Sequence, residues 1–174
     1  MRVKQSPRLA DSAKAPPMST PIFESILSWL QRENVPYRHV RHEPTFTSEE
    51  SARARGESVQ VGGKALVVKV GDEFRLFVLS AACKFDSNAV KAHFGVKKTR
   101  FADRDELLQL TGLVPGSVPP FGPPILNLPL YVDPSITANA VIAFNAGSLT
   151  DSLILATPDY LRIAKPEVFQ FAVG

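Results

Sequence analysis

The sequence predicts a single domain of mixed α and β structure, with a largely antiparallel, barrel-like mixed sheet flanked by short helices. The length of 174 residues and the 44% hydrophobic content are sufficient for one substantial core. Two β-rich runs around Gly71-Asp72 indicate a hairpin. Helix and strand signals do not alternate as regular βαβ units. We therefore expect one mixed domain over residues 19–174, preceded by a disordered extension over residues 1–18.

Five short helices are predicted from capping residues. Thr47-Ser48-Glu49-Glu50 has the form of a capping box, and Thr157-Pro158 repeats the threonine-proline helix start seen at Thr20-Pro21. In the helix after Asp103, Leu107, Leu108 and Leu110 are expected to face inward. The predicted helices span about residues 20–34, 47–56, 86–95, 103–112 and 157–163.

Seven strands are predicted, and they surround a segment rich in proline. Six of the fifteen prolines lie between Pro115 and Pro129. Too few strands follow this segment to form a second domain, so we interpret it as a stiff loop inside one domain. Gly116 to Pro120 is predicted to be the wall of a site, and Gly122 to Pro124 has no assigned role. The predicted strands are 37–42, 64–70, 74–79, 96–101, 130–132, 141–144 and 152–155.

The basic character of the chain comes from its first residues. Residues from Met18 onward carry sixteen basic and sixteen acidic side chains, so binding of phosphate must depend on local clusters. We interpret residues 1–17 as disordered, with a short transit peptide or a start at Met18 as alternatives. Their charged residues are Arg2, Lys4, Arg8, Lys14 and Asp11.

Membrane, metal and cofactor binding are not expected. No apolar run reaches eighteen residues, and no phosphate-binding or dinucleotide-binding glycine motif occurs. The single Cys83 excludes an internal disulfide, favours a reduced cytoplasmic setting, and is more typical of a packed thiol than of a nucleophile. His39 and His42 would lie on opposite faces of a strand, and His93 lies in a distant helix.

Three stretches are candidates for ligand contact. Lys64 follows two glycines and opens an apolar strand, so it is either a strand-end lysine in solvent or an anion or carbonyl contact at a pocket mouth. Phe144 to Ser148 ends a strand with small residues, as in a plain turn or a close backbone approach to a ligand. Lys97 to Arg100 would either meet phosphates or protect an edge strand.

Five segments in order carry a resemblance to a known family. They read HEPTFTSEESARARG, GGKALVVKV, LTGLVPGSVPPFG, FNAGSLTDSLIL and DYLRIAKP. Over about residues 20–170 the chain resembles the YbaK/ProX family, the editing domains associated with prolyl-tRNA synthetase, and especially its free-standing branch. The resemblance implies an aminoacyl-tRNA deacylase that acts in trans, without metal, cofactor or covalent intermediate. It implies the acceptor end of a mischarged tRNA as partner, with an aminoacyl-tRNA synthetase as a second potential partner.

The resemblance also implies which residues form the site. Lys64 matches the pocket lysine of the family, which the resemblance implies to contact the phosphate of the terminal adenosine or the substrate near its ester. Gly116 and Pro120 match a G-x-x-x-P loop that positions the attacking water or the tRNA hydroxyl. With these three as catalytic residues, the implied substrate-binding residues are His42, Thr47, Ser48, Ser117, Val118, Phe121, Asn145, Ala146 and Gly147.

One departure from the family pattern bears on specificity. Several relatives carry a histidine shortly after the asparagine of the last motif, where this chain has Thr150-Asp151-Ser152. By similarity to the free-standing branch, serine or threonine is a more plausible target than alanine. An aminoacyl ester is already activated, so a Ser-His-Asp constellation is not required. The alternatives are a non-catalytic tRNA- or synthetase-binding module of the same fold, and a hydrolase of a small aminoacyl ester.

Overall fold

The computed structural model describes residues 20–174, so the extension predicted for residues 1–18 lies outside the described residues. The described chain forms six α-helices and ten strands. The helices are α1 (Pro21–Arg32), α2 (Ser48–Arg55), α3 (Ser87–Phe94), α4 (Arg104–Thr111), α5 (Pro134–Thr137) and α6 (Thr157–Ala164). The strands are β1 (Arg38–Arg41), β2 (Gly63–Val70), β3 (Glu73–Ser80), β4 (Lys84–Phe85), β5 (Thr99–Phe101), β6 (Leu130–Val132), β7 (Val141–Asn145), β8 (Asp151–Ala156), β9 (Glu167–Val168) and β10 (Ala172–Val173).

The strands form three sheets in which antiparallel pairs predominate. The largest sheet has the order β5-β2-β3-β6-β9, with antiparallel β5-β2 and β2-β3 pairs and parallel β3-β6 and β6-β9 pairs. The other two sheets, β1-β8-β7 and β10-β4, are antiparallel. A parallel bridge between Gly62 and Ala143 links the region before β2 to β7. The predicted mixed architecture is confirmed, and its strands form separate sheets instead of one closed barrel.

The large sheet separates two hydrophobic clusters. Val67 and Leu76 belong to a core shared with α1, β7 and β8, whereas their neighbours Val68 and Phe77 belong to a second core. This division follows from the alternation of side chains across a strand. The predicted hairpin is confirmed, with Val70 paired to Glu73 across the Gly71-Asp72 turn. None of the helices in the described part of the chain is long and apolar enough to cross a membrane.

The capping residues explain where most helices begin. Thr20 Oγ1 accepts the Phe23 amide, as the Thr-Pro start predicts. Thr47 Oγ1 accepts the Glu50 amide, but the Glu50 carboxylate accepts the amide of Phe46 and not that of Thr47, so the predicted box is shifted by one residue. The prediction that Thr157 caps the last helix is wrong. Ala156 holds the cap position, and Thr157 is buried as the first helical residue.

Only one leucine of α4 faces the core as predicted. Leu107 is buried, whereas Leu108 and Leu110 are 52% and 41% exposed. Successive helical residues point about 100° apart, so a short helix lying on a sheet buries one narrow face. The inward orientation predicted for Leu108 and Leu110 is therefore wrong.

The middle of the proline-rich segment packs within the core. Residues 117–122 are all buried. The ring of Phe121 contacts the aromatic rings of Trp29, Phe144 and Tyr160, at centroid distances of 5.2, 5.4 and 5.4 Å. A Cβ atom at Gly122 would lie 2.7 Å from the Leu128 carbonyl oxygen, so the backbone approaches its own chain closely there. The segment is therefore part of the folded structure and does not join two halves.

We predict that Phe121→Ala lowers the free energy of unfolding by about 3–5 kcal/mol, because it removes a fully buried ring from an aromatic cluster. Phe101→Ala is the matched control, since Phe101 is 57% exposed, and it should cost less than about 1 kcal/mol. Urea denaturation of both variants measures the difference. Equal losses would contradict the packing described for this segment.

Candidate active site

A cavity of about 250 Å³ opens between α2, the first residues of β2 and the Gly116 loop. Among residues 20–174, its charged lining residues are Arg55 and Lys64, and no aspartate, glutamate or histidine lines it. The remaining lining residues are small, hydroxylated or apolar: Thr45, Phe46, Thr47, Ser48, Ser51, Ala52, Val59, Gly62, Gly63, Ala65, Leu66, Ala81, Gly116, Val118 and Asn145. The cavity is therefore suited to a ligand with negative charge and hydrogen-bonding groups.

One face of α2 forms a wall of this cavity. Ser48, Ser51, Ala52 and Arg55 all line it, and they follow the spacing that places side chains on one side of a helix. Thr47 precedes them as the N-cap. The predicted substrate-binding residues Thr47 and Ser48 thus lie at the cavity.

Lys64 lies at the start of β2 and is half-buried at the cavity. Its Nζ donates a hydrogen bond to the Cys83 carbonyl oxygen at 2.9 Å. Burial lowers the pKa of the Lys64 ammonium, and the charge interaction with Cys83 opposes this effect. Among residues 20–174, no carboxylate forms an ion pair with Lys64. The ammonium has three donor hydrogens, so it can hold the carbonyl and still donate to a ligand.

Arg55 is a site residue that the sequence analysis missed. It is only 8% exposed, and burial lowers the pKa of its guanidinium to about 10. Its Nε donates to Ser152 Oγ at 2.9 Å and its Nη2 donates to Asn145 Oδ1 at 3.1 Å. No carboxylate in the described part of the chain pairs with it. The sequence holds one signal for Arg55: it lies two helical turns after Ser48 and so on the same face of α2, whereas Arg53 does not.

Asn145 connects this arginine to the loop of the predicted G-x-x-x-P motif. Its Oδ1 accepts from Arg55, and its Nδ2 donates to the Gly116 carbonyl oxygen at 2.8 Å. Because a guanidinium can only donate, the amide orientation is fixed by this contact. Gly116 has a φ of +89°, in the region that favours glycine. Three of the residues predicted for the site, Asn145, Gly116 and Val118, line this cavity.

His42 lies behind the cavity wall. Its Nε2 is 2.8 Å from Ser152 Oγ, and its Nδ1 is 2.8 Å from the Glu43 carbonyl oxygen. Ser152 in turn accepts from Arg55. The structure thus places His42 one side chain away from the cavity and connects it through Ser152.

The second part of the predicted loop packs inward. Ser117 Oγ donates to the Val114 carbonyl oxygen at 2.8 Å, and the Pro120 carbonyl oxygen accepts from the buried Tyr160 hydroxyl at 2.6 Å. Phe121 is enclosed in the aromatic cluster described above. None of these three predicted residues lines the cavity. Ser117 turns back to its own loop, and Pro120 and Phe121 are buried.

Ala146 and Gly147 also lie away from the cavity. Ala146 is fully buried in the core shared with α1. Gly147 has a φ of +73°, and a Cβ there would lie 2.6 Å from Ile22 Cγ2. Its carbonyl oxygen accepts from Thr20 Oγ1 at 2.9 Å. The small residues of this strand end thus permit the approach of helix α1, instead of the ligand approach that the sequence analysis considered.

Asp151 holds the loop after Asn145 in place. This loop is the position at which the family resemblance implies a histidine in several relatives. Its carboxylate accepts from Ser148 Oγ at 2.9 Å and lies 2.8 Å from His39 Nε2. Burial would raise the pKa of this carboxyl, but the hydrogen bonds from His39 and Ser148 and the charge of Arg41 lower it overall. Asp151 is therefore a structural anchor outside the cavity lining.

Two further features lie apart from the cavity. Within residues 20–174, no group of three or more His, Cys, Asp or Glu side chains is arranged to hold a metal ion. The basic stretch before and within β5 lines a separate surface depression, where Arg100 pairs with Glu106 at 2.7 Å. The basic residues of this depression are Lys69, Lys91, Lys97, Lys98 and Arg100.

Comparison with known families identifies the domain around this cavity. The aminoacyl-tRNA editing domain model matches residues 42–163, more than half of the chain. The chain belongs to the aminoacyl-tRNA editing domain family. The match includes every residue that lines the cavity, and it confirms the resemblance predicted from the five ordered motifs.

Relatives of this editing domain are similar over most of their length. The Multifunctional Ser/Thr-tRNA deacylase ProXp-y of Escherichia coli K12 is 37% identical over 155 residues, covering 85% of this chain and 91% of that protein. The Prolyl-tRNA editing protein ProX of Acetoanaerobium sticklandii is 24% identical over 149 residues, covering 82% and 90%. A solved structure described as a candidate trans-editing enzyme for prolyl-tRNA synthetase has a TM-score of 0.77 at 23% identity, covering 90% of this chain and 100% of that one. The similarity to this solved structure confirms the fold.

We predict that Arg55→Met changes the free energy of unfolding by less than about 1 kcal/mol, although the side chain is buried. In the variant, Ser152 keeps its contacts to His42 and Asn145, and an unpaired charge is removed from the interior. Equilibrium urea denaturation at neutral pH tests this, with the half-exposed Arg38→Met as control. A loss of about 3 kcal/mol or more would mean that Arg55 is mainly a structural residue.

Proposed function

We propose that this editing domain is a trans-acting aminoacyl-tRNA deacylase. It hydrolyses the ester bond of a tRNA mischarged with a small amino acid, with serine or threonine favoured over alanine. The observation that carries the proposal is the cavity that Lys64, Arg55 and Gly116 line together and that no carboxylate of residues 20–174 lines. The similarity to the Ser/Thr-tRNA deacylase ProXp-y supports the choice of amino acid.

The proposed mechanism relies on orientation and electrostatics. Among residues 20–174, the cavity lining contains no histidine or carboxylate that could act as a general base. An aminoacyl ester needs only a well-placed water, which the neighbouring ribose hydroxyl can orient. The oxygen of this water bonds to the ester carbonyl carbon, the bond from that carbon to the ribose oxygen breaks, and the proton released by the water passes to the ribose oxygen. The Gly116 loop positions this nucleophile through its backbone. Lys64 stabilises the negative charge that develops on the ester carbonyl, or binds the phosphate beside the terminal adenosine. Arg55 adds a second positive charge and holds Asn145.

The lining also bears on which amino acid is removed. Four residues with hydroxyl groups, Thr45, Thr47, Ser48 and Ser51, line the cavity. A site that hydrogen-bonds a substrate hydroxyl discriminates strongly against analogues that lack it, whereas one methylene is worth only about 1–3 kcal/mol. These groups support a serine or threonine side chain over the methyl group of alanine.

The remaining predicted residues act from behind the wall in this proposal. His42 supports Ser152, which accepts from Arg55. Ser117, Pro120 and Phe121 fix the course of the loop after Gly116, whereas Ala146 and Gly147 seat α1 against the end of β7. These residues therefore contribute to deacylation by holding the residues that line the cavity in place.

The proposed partner is the acceptor end of a mischarged tRNA in the cytoplasm, with an aminoacyl-tRNA synthetase as a second partner. A hydrolase of small aminoacyl esters is the other candidate, because basic and acidic residues balance from Met18 onward. The salt dependence of deacylation separates the two, since phosphate contacts make binding weaken steeply with salt. Activity on charged tRNA that does not change with salt would favour the small ester.

We predict ester hydrolysis above background on at least one member of a panel of mischarged tRNAs. The panel carries serine, threonine, alanine or cysteine on several tRNAs, and release of the labelled amino acid is measured. Serine and threonine should be released fastest. Absence of hydrolysis on every member, with the protein folded, would reject the proposed function and favour a binding module.

Lys64→Ala should lower kcat/KM for the best tRNA substrate at least tenfold, because it removes the ammonium from the cavity. Lys84→Ala is the matched control, since Lys84 is exposed and outside the lining. Circular dichroism of both variants checks that folding is intact. Wild-type rates in Lys64→Ala would refute the role assigned to this lysine.

A further inference from the structure

Phe46 is an aromatic side chain whose exposure the fold does not explain. It is 82% exposed, the largest exposure of any large hydrophobic residue in the described chain. It nevertheless lines the cavity, next to Thr45 and Thr47. A ring that contributes little to the core and stands at the edge of a candidate active site is available to a ligand.

The backbone that carries Phe46 is held firmly. The Phe46 amide donates to Glu50 Oε1 at 2.8 Å. On one side, Thr45 Oγ1 lies 2.7 Å from Ser51 Oγ, and on the other, Thr47 caps α2 through the Glu50 amide. Both neighbours are thus tied to the same helix, so the ring is presented from a fixed position.

The surroundings of Phe46 indicate the chemical class of the ligand. The cavity beside it is lined by two cationic side chains, Arg55 and Lys64, and by no carboxylate of the described part of the chain. Residues with hydroxyl groups, namely Thr45, Thr47, Ser48 and Ser51, line the same cavity. An anionic ligand with a flat aromatic part matches this set of groups, and a nucleotide has both parts. Bases stack on aromatic side chains in many proteins that bind single-stranded nucleic acid, and this contact tolerates any base.

We propose that Phe46 is a stacking platform for a base of the single-stranded 3′ end of the tRNA, with the aminoacyl ester placed in the cavity. This inference rests on the proposed function and names how its substrate is held. The ring binds a base through its face, so it tolerates different tRNAs. The cations then meet the backbone phosphate or the reacting ester.

Three substitutions separate stacking from a general apolar contact. Phe46→Ala should raise KM for the mischarged tRNA at least fivefold while kcat changes less than twofold. Phe46→Trp should restore the wild-type KM, because it keeps an aromatic face, whereas Phe46→Leu should not. Phe101→Ala, an exposed phenylalanine outside the cavity, is the control and should leave KM unchanged. Unfolding midpoints should match the wild type for all Phe46 variants, since the ring is exposed.

A binding experiment tests the inference without ester hydrolysis. The uncharged trinucleotide CCA is titrated into the full chain by calorimetry, and Phe46→Ala should weaken its binding at least fivefold. If CCA binding depends on Phe46 while no mischarged tRNA is hydrolysed, the deacylase proposal fails and the stacking platform stands. If hydrolysis occurs and Phe46→Ala matches the wild type in both assays, the platform is overturned. Full rescue by Phe46→Leu would also overturn it, because an apolar contact such as one to a protein partner would then suffice.

Discussion

The side-chain amide of Asn145 is the contact on which the shape of the cavity depends. It lies at the end of β7, accepts from Arg55 in α2 and donates to the Gly116 carbonyl oxygen. These contacts join a strand, a helix and a loop that are far apart in the chain. Because the guanidinium can only donate, the amide has one orientation, and the Gly116 carbonyl receives its hydrogen bond only in that orientation. One side chain therefore ties together three segments that line the cavity.

The cavity is positively charged because two cationic side chains are buried or half-buried there and no carboxylate of the described residues neutralises them. Arg55 is buried with neutral partners only, and Lys64 donates to a backbone carbonyl. Burying an unpaired charge costs free energy, and the lowered pKa values of both groups reflect this cost. An anionic ligand offsets the cost when it binds. A domain with balanced charge can in this way attract anions at one place, which bulk charge alone does not indicate.

Structural features that depend only on residues close together in the sequence could be predicted from it. The Gly71-Asp72 hairpin and the start of α1 at Thr20 are of this kind, because turn and capping preferences act over a few residues. Lys64 was found through the glycines before it. Arg55 was not, since its bonds to Asn145 and Ser152 exist only after distant segments meet. The place of a residue within a family motif also does not indicate whether its side chain faces the cavity.

The loop after Gly116 shows why a motif and a site lining differ. Gly116 and Val118 line the cavity, whereas Ser117 turns back to its own loop and Phe121 enters the aromatic cluster. Close packing leaves little room for independent movement of these residues, so a change in the core shifts the wall. Loss of activity at Pro120 or Phe121 can thus arise without any contact to substrate. A separate effect on stability distinguishes these positions from Gly116, whose carbonyl lies at the wall itself.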